Sequence, residues 1–339
     1  MSRRVFLTGA TGYIGGALAR RLAVEGWQVR ALVRGTSDRE TVEALRHAGV
    51  ETFVGDVVDR VSMREGMAGS DWVVHAAADL DMGGPVERMR SVNGAGTENV
   101  ASLAAKLGTG RFLLLSSMAA FGGSPADGTA VTEDDALRLP PPSLYSATKR
   151  AGEEAARAWA AKGLRLHVVW PSLVYGPPGK RRGTNALLRQ FAKGRMPALV
   201  GADRRTSWIF LDDLVDGLVR VMEHPPEVEN PMRPGTTVPR DYLMTGEVAT
   251  VGEVARRVCE LAGTRPPRLA LPVGVAKLAL AVAGPFYRLR GFRPPLPPDT
   301  LESLRRHWAF DDSRARHELD WHPRPLSEGL PPTVEVLLA

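Results

Sequence analysis

The segment TGATGYIG at residues 8–15 constrains this chain more than any other. It stands between RVFLT, a short β-branched and apolar run, and ALARRLAVEG, a helical pattern closed by Gly26. A strand must therefore turn sharply into a helix within a few residues, and Gly9, Gly12 and Gly15 supply the backbone freedom for that turn. Glycines also let an anion approach the backbone closely, where the first amides of the helix can bind it. Set at the start of a strand–helix alternation, this pattern predicts a dinucleotide pyrophosphate site at Gly9, Thr11, Gly12, Tyr13, Ile14 and Gly15.

The alternation continues. WQVRALVR, VETFVGD, DWVVHAAA, RFLLLSS and LRLHVVWP read as strands, with helices over 38–47, 61–69, 85–108 and 144–162 between them. Strands separated by helices pair in parallel through right-handed crossovers. The fold class is α/β: a Rossmann doubly wound parallel sheet. After about residue 176 proline and glycine become frequent and strands short. Residues 1–176 are thus expected to form the dinucleotide-binding core, and 177–339 a smaller, mixed C-terminal substrate-binding region interleaved with it.

Composition narrows the partners. A net charge of +6 raises nucleic acid as a partner, but the arginines are dispersed, with no run of five or six like charges. No nucleic-acid partner is expected. One cysteine, Cys259, excludes a disulfide framework and a cysteine metal cluster, and the seven histidines have no ligand spacing, so no metal is expected. The N-terminus carries no secretion signal pattern, which predicts a cytoplasmic protein. The segment 269–287 is nearly continuously apolar, yet Pro272, Lys277 and Pro285 interrupt it. No transmembrane span is expected. A helix covering the pocket is the favoured reading, and peripheral membrane contact through 269–290 the alternative.

Three further positions bear on the cofactor. An NAD site usually places an acid at the end of the second strand. Here Val33 holds that place and Arg34 follows, and a guanidinium suits a 2′-phosphate. NADP (NADPH) is favoured and NAD is the alternative; Arg34 as a plain solvent-facing strand end is the structural reading. Asp56, with Val57 beside it, follows the third strand and can accept from an adenine amino group, or serve as a turn residue. Ala76, Ala77 and Ala78 end the fourth strand, where small side chains let a cofactor lie close. His75 reads as a packed strand residue.

Tyr145 and Lys149 lie four apart on a predicted helix and project from one face. An ammonium there can lower a phenol's pKa, which is otherwise about 10. The chain has only six lysines, which makes the pairing more pointed. Ser116 and Ser117 end the fifth strand, on the side where a doubly wound sheet opens its ligand crevice.

Together, TGATGYIG, GDVVD, HAAA, VNGAGTENV, LLLSSMAAFG, YSATK, WPSLVYGP, WIFLDDLVDGL and DDSRARHELDWHPR resemble the extended short-chain dehydrogenases/reductases over nearly the whole chain. The resemblance implies Tyr145 as general acid/base and Lys149 as the residue that holds the nicotinamide ribose and depresses the tyrosine pKa. It implies Ser117 as catalytic serine, with Ser116 second choice. It places Pro171 and Leu173 beside the nicotinamide and gives Asn93 a structural part. Asp79, Met118, Phe121, Tyr175 and Trp208 are the candidates for the substrate site. A homodimer through helices 85–108 and 144–162 follows by the same analogy.

Three slots depart from the sugar-nucleotide branch, where a diphosphate needs cations. Thr206, Trp170 and Phe210 stand where that branch often has arginine, arginine and histidine. With ALVRGTS, this looks more like the dihydroflavonol-reductase and 3β-hydroxysteroid-dehydrogenase branch. The expected partner is a hydrophobic small molecule, steroid-, terpenoid-, flavonoid- or polyketide-like, with a ketone reduced or a secondary alcohol oxidised. The alternatives are a sugar-nucleotide epimerase, dehydratase or reductase, and a dinucleotide-binding sensor or assembly factor without turnover.

Overall fold

The computed structural model describes residues 3–81, 83–135, 139–178, 183–196, 198–229, 237–278 and 298–339. Its centre is a seven-stranded sheet whose strands all run in parallel. In chain order these are β1 (Arg4–Thr8), β2 (Gln28–Val33), β3 (Glu51–Val54), β4 (Trp72–His75), β5 (Arg111–Leu115) and β6 (Leu166–Pro171), and the seventh is Tyr242–Met244. Across the sheet the order is β3-β2-β1-β4-β5-β6 and then Tyr242–Met244. The order reverses between β1 and β4, so the crevice for a ligand opens beyond their carboxyl ends.

β4 and β6 are buried along their whole length, because helices cover both faces of the sheet. On one face α1 (Tyr13–Val24) packs with Leu211–Glu223. Leu18 and Leu22 meet Leu214 and Leu218 in one core. On the other face lie α5 (Thr97–Leu107) and α6 (Leu144–Ala160). Between β1 and β5 the helices α2 (Arg39–His47), α3 (Arg64–Met67) and α4 (Val86–Arg90) complete the set.

The expected single helix over 85–108 is α4 and α5 joined by a π-helical turn, Ser91–Gly96. This turn lies at a close helix crossing. A Cβ on Gly152 of α6 would collide with the carbonyl oxygen of Asn93. Ser143 starts α6 by accepting from the amide of Ser146.

The C-terminal half contributes its own small core, where Leu188 and Phe191 of the helix Gly183–Ala192 meet Val254 and Val258 of the helix Val251–Leu261 and Leu330 of the helix Leu326–Leu338. It also sends Tyr242–Met244 into the main sheet. Cys259 is fully buried. In the apolar segment, Leu269–Leu271 pairs with Ala198–Val200 and residues 273–278 are helical. The rest of it, 279–290, lies outside the described residues. Among the described residues no helix is long and apolar enough to cross a membrane.

Candidate active site

The glycine loop closes with Gly12 N–H donating to the Gly9 carbonyl at 2.9 Å. Gly9 has φ +80, and a Cβ there would sit 2.6 Å from the backbone of Ala76 and Ala77. The loop therefore lies directly on the end of β4. Gly12 caps α1 with no side-chain hydrogen bond, which leaves the first-turn amides for an anion. Tyr13 turns towards the second half of the chain, where its hydroxyl donates to Gly176 O and accepts from Asn185 Nδ2 at 3.1 Å. Thr11 and Ile14 are half-buried along the loop.

At the end of β2, Val33 is buried and Arg34 is exposed. The Arg34 backbone is held in a turn by Ser37, while its guanidinium has no partner among the described residues. Asp56 uses Oδ1 to accept from Val58 N at 3.2 Å, so it serves as a turn residue and keeps its second oxygen. Val57 is a core side chain, packed against the place where Gly96 has no Cβ. Ala76, Ala77 and Ala78 are half-buried beside the loop. Amides without caps, a glycine loop flush with β4 and an unpartnered guanidinium fit a dinucleotide phosphate chain. Gly12–Gly15 would hold the pyrophosphate, and Arg34 would face the adenosine ribose.

Ser116 and Ser117 point to different places. Ser116 is 4% exposed, and its hydroxyl donates to Glu153 Oε2 at 2.9 Å. Ser117 is half-buried, accepts from Ala119 N at 3.2 Å, and stands beside the Tyr145 phenol. Burial pushes the Tyr145 phenol above its ordinary value, and the neighbouring Ser117 hydroxyl opposes that rise. Lys149 is buried and donates from Nζ to the Leu115 carbonyl, the last of β5, at 2.9 Å. Burial lowers its pKa to about 8, against the pull of Glu153. At Tyr145 desolvation is the largest influence on the phenol, and the Lys149 ammonium is bound to a backbone carbonyl.

Asn93 ties the site together. Its Oδ1 accepts from Asp79 N at 2.7 Å, and Nδ2 donates to Asp79 O and to Thr148 Oγ1. The loop after β4 is thus fixed to the helix that carries Tyr145. Asp79 also pairs with Arg88 at 3.3 Å. Pro171 ends β6 in the core, and Leu173 is half-buried in the next short strand, Leu173–Tyr175.

The substrate candidates fare differently. Phe121, Tyr175 and Trp208 are each 1% exposed, and Met118 is 7% exposed. Phe121 packs edge-on against Trp170 and Phe310, and Tyr175 against Phe210. Trp208 donates from Nε1 to Ala249 O. These are core side chains and offer a ligand almost no surface: Met118 and Phe121 are packed in the core beneath α5 and α6, and Tyr175 and Trp208 in the C-terminal core. Asp79 alone of the five is half-buried at the crevice.

One residue of the site, Glu153, escaped the reading from sequence, and so did the partners of His75. Glu153 lies one turn past Lys149, a spacing that was available. His75 is linked to Thr8 and Thr97, which only the strand register reveals.

A parallel sheet with this order, a glycine loop on β1 and a Ser–Tyr–Lys cluster at the end of β5 define a class of nicotinamide-dinucleotide enzyme. The sequence profile of the NAD dependent epimerase/dehydratase family matches residues 5–233. The chain belongs to that family and is an NAD(P)-dependent oxidoreductase of the extended short-chain dehydrogenase/reductase type. It is similar to the sterol demethylase protein B of Methylococcus capsulatus, 31% identical over 324 residues that cover 94% of this chain and 93% of that protein. It is also similar to a 3-beta-hydroxysteroid dehydrogenase of Mycolicibacterium neoaurum, 26% identical over 94% of this chain and 87% of that one. Among solved structures, the crystal structure of gox2253 superposes with a TM-score of 0.80 at 28% identity, covering 99% of this chain and 98% of that one.

Proposed function

We propose that the protein is an NADP(H)-dependent carbonyl reductase or alcohol dehydrogenase for a medium or large hydrophobic molecule with a ketone or secondary alcohol. The observation that carries this reading is the placing of Ser117, Tyr145 and Lys149 together at the carboxyl end of β5, with Ser117 beside the Tyr145 phenol and the Lys149 Nζ on the Leu115 carbonyl. The bound dinucleotide supplies or accepts the hydride. In the reducing direction, Ser117 donates a hydrogen bond to the substrate oxygen and Tyr145 gives it a proton as it becomes an alcohol. Lys149 holds positive charge next to that exchange.

Support for an apolar substrate comes from three slots. Trp170, Thr206 and Phe210 are buried and neutral where a diphosphate would call for cations. The likeness to a sterol demethylase protein and a 3-beta-hydroxysteroid dehydrogenase points the same way. Support for NADP comes from Arg34, whose guanidinium is exposed and unpartnered among the described residues, with no acid at Val33.

The test is a titration of purified protein with NADPH and NADH, with Arg34→Ala alongside. The expected result is tighter binding of NADPH by about tenfold or more, lost in the variant. Turnover of steroid-like ketones should follow. Equal affinity for NADH, or NAD retained through purification, overturns the NADP assignment and favours the sugar-nucleotide branch.

A further inference from the structure

Behind the Ser–Tyr–Lys cluster lies a buried polar group that the proposed reaction does not use. Glu153 is on α6, one turn beyond Lys149, and 1% exposed. Its Oε2 accepts from Ser116 Oγ at 2.9 Å and from Trp170 Nε1 at 2.7 Å. Its Oε1 accepts from Arg157 Nε at 3.0 Å. Arg157 in turn donates to Asp241 Oδ2 at 2.8 Å, and Asp241 Oδ1 accepts from Val168 N. So a buried carboxylate is satisfied from β5, β6 and its own helix at once. A buried carboxylate without such partners would cost several kcal/mol and take up a proton instead.

We infer that Glu153 is the positioning residue of this site, holding the end of β5 through Ser116 and placing a buried negative charge one helical turn from Lys149. The inference rests on the proposed roles of Tyr145 and Lys149. Ser116 and Ser117 are adjacent, so a tether on Ser116 fixes the direction in which Ser117 meets Tyr145. Among the described residues the Lys149 Nζ is bound only to a neutral carbonyl, that of Leu115, and a buried ammonium with neutral partners alone loses its proton readily. Glu153 is the group that opposes this loss.

The other groups facing the pair neither replace it nor cancel it. On α6 these are Tyr145, neutral because burial raises its pKa, and Arg157. On β4 stands His75, neutral because its pKa is lowered to about 3. Ahead of the seventh strand stands Asp241, which faces Arg157. Arg157 pairs with both Glu153 and Asp241, so among the described residues here two carboxylates face two cations, Arg157 and Lys149. Trp170 is neutral and contributes a donor; Arg157 stacks over its ring at 5.6 Å.

The test is an NMR titration of the full-length protein labelled at lysine ¹³Cε. With six lysines the Lys149 signal is assigned by its loss in Lys149→Met. Glu153→Gln should move the Lys149 midpoint down by about one pH unit or more. Arg157→Gln, which removes a cation from the same carboxylate, should move it up. Ser116→Ala should leave it in place while disturbing the Ser117–Tyr145 contact. A merely structural role for Glu153 would not produce shifts of opposite sign. An unmoved midpoint in Glu153→Gln overturns the inference. If that variant does not fold, Arg157→Gln decides, since its side chain is 39% exposed; no upward shift there overturns the inference equally. NADPH and NADH binding measured on the same samples separates the two readings. Dinucleotide binding without the shifts removes the role of Glu153 and leaves the proposed function. The shifts without dinucleotide binding support Glu153 and remove the proposed function.

Discussion

Acid should unfold this protein partly through His75, and the size of the effect follows from its surroundings. The Thr8 hydroxyl donates to Nδ1 at 2.7 Å, and Nε2 lies 3.0 Å from Thr97 Oγ1. Thr97 gives its only proton to the Asn93 carbonyl, so it accepts from His75 Nε2–H. The ring is thus a neutral bridge between β1, β4 and α5. Burial, with Lys149 adding repulsion, lowers its pKa from 6.5 to about 3. Above pH 6.5 both the folded and the unfolded chain carry it neutral, and pH does not matter. Below 6.5 the unfolded chain takes a proton that the folded one refuses, so stability falls until the folded pKa is reached. The slope is about 1.4 kcal/mol per pH unit, or roughly 2.7 kcal/mol between pH 6.5 and 4.5. Urea unfolding from pH 7.5 to 4.5, for the natural protein and His75→Gln, isolates this term. Carboxylates and His167, whose pKa is also lowered by burial, to about 4, are common to both and cancel. The stability gap between the two proteins should change by about 1.4 kcal/mol per unit below pH 6.5, in favour of the variant. Parallel curves would refute the argument.

Gly152→Ala drives a methyl into the Asn93 carbonyl at the crossing of α6 with the π-helical turn, where backbone cannot yield. A loss of about 3 kcal/mol in urea unfolding is expected, and a neutral change would mean the helices can separate cheaply. Gly9→Ala combines φ +80 with a contact to Ala76 at 2.6 Å, and should weaken dinucleotide binding by more than about tenfold in a fluorescence titration. Tyr145→Phe should keep dinucleotide affinity and lose turnover by about a hundredfold or more; retained turnover would remove Tyr145 from the proton transfer.

Much of the fold was legible because its signals are local. The glycine loop needs Gly9, Gly12 and Gly15 within seven residues, and each parallel strand is a short apolar run bounded by turns. Tyr145 and Lys149 were legible as a pair because a helix puts residues four apart on one face. Asp56 as a turn residue was among the readings that its neighbours allowed.

What remained open depended on contacts between distant parts of the chain. Ser116 and Ser117 are the same residue type in adjacent places, and only the packing of α6 on β5 turns one towards Glu153 and the other towards Tyr145. Phe121, Tyr175 and Trp208 have the apolar bulk of either a core or a pocket, and burial chooses between these by which elements meet there. Lys149 and Tyr145 share a face, yet the path of β5 gives the ammonium a carbonyl to bind, while desolvation raises the phenol. His75 meets Thr8 because β1 and β4 pair in register, across 67 residues of chain. Sequence spacing specifies which side chains share an element and a face. Their partners, their water and therefore their charge are set by what the folded chain brings against that face.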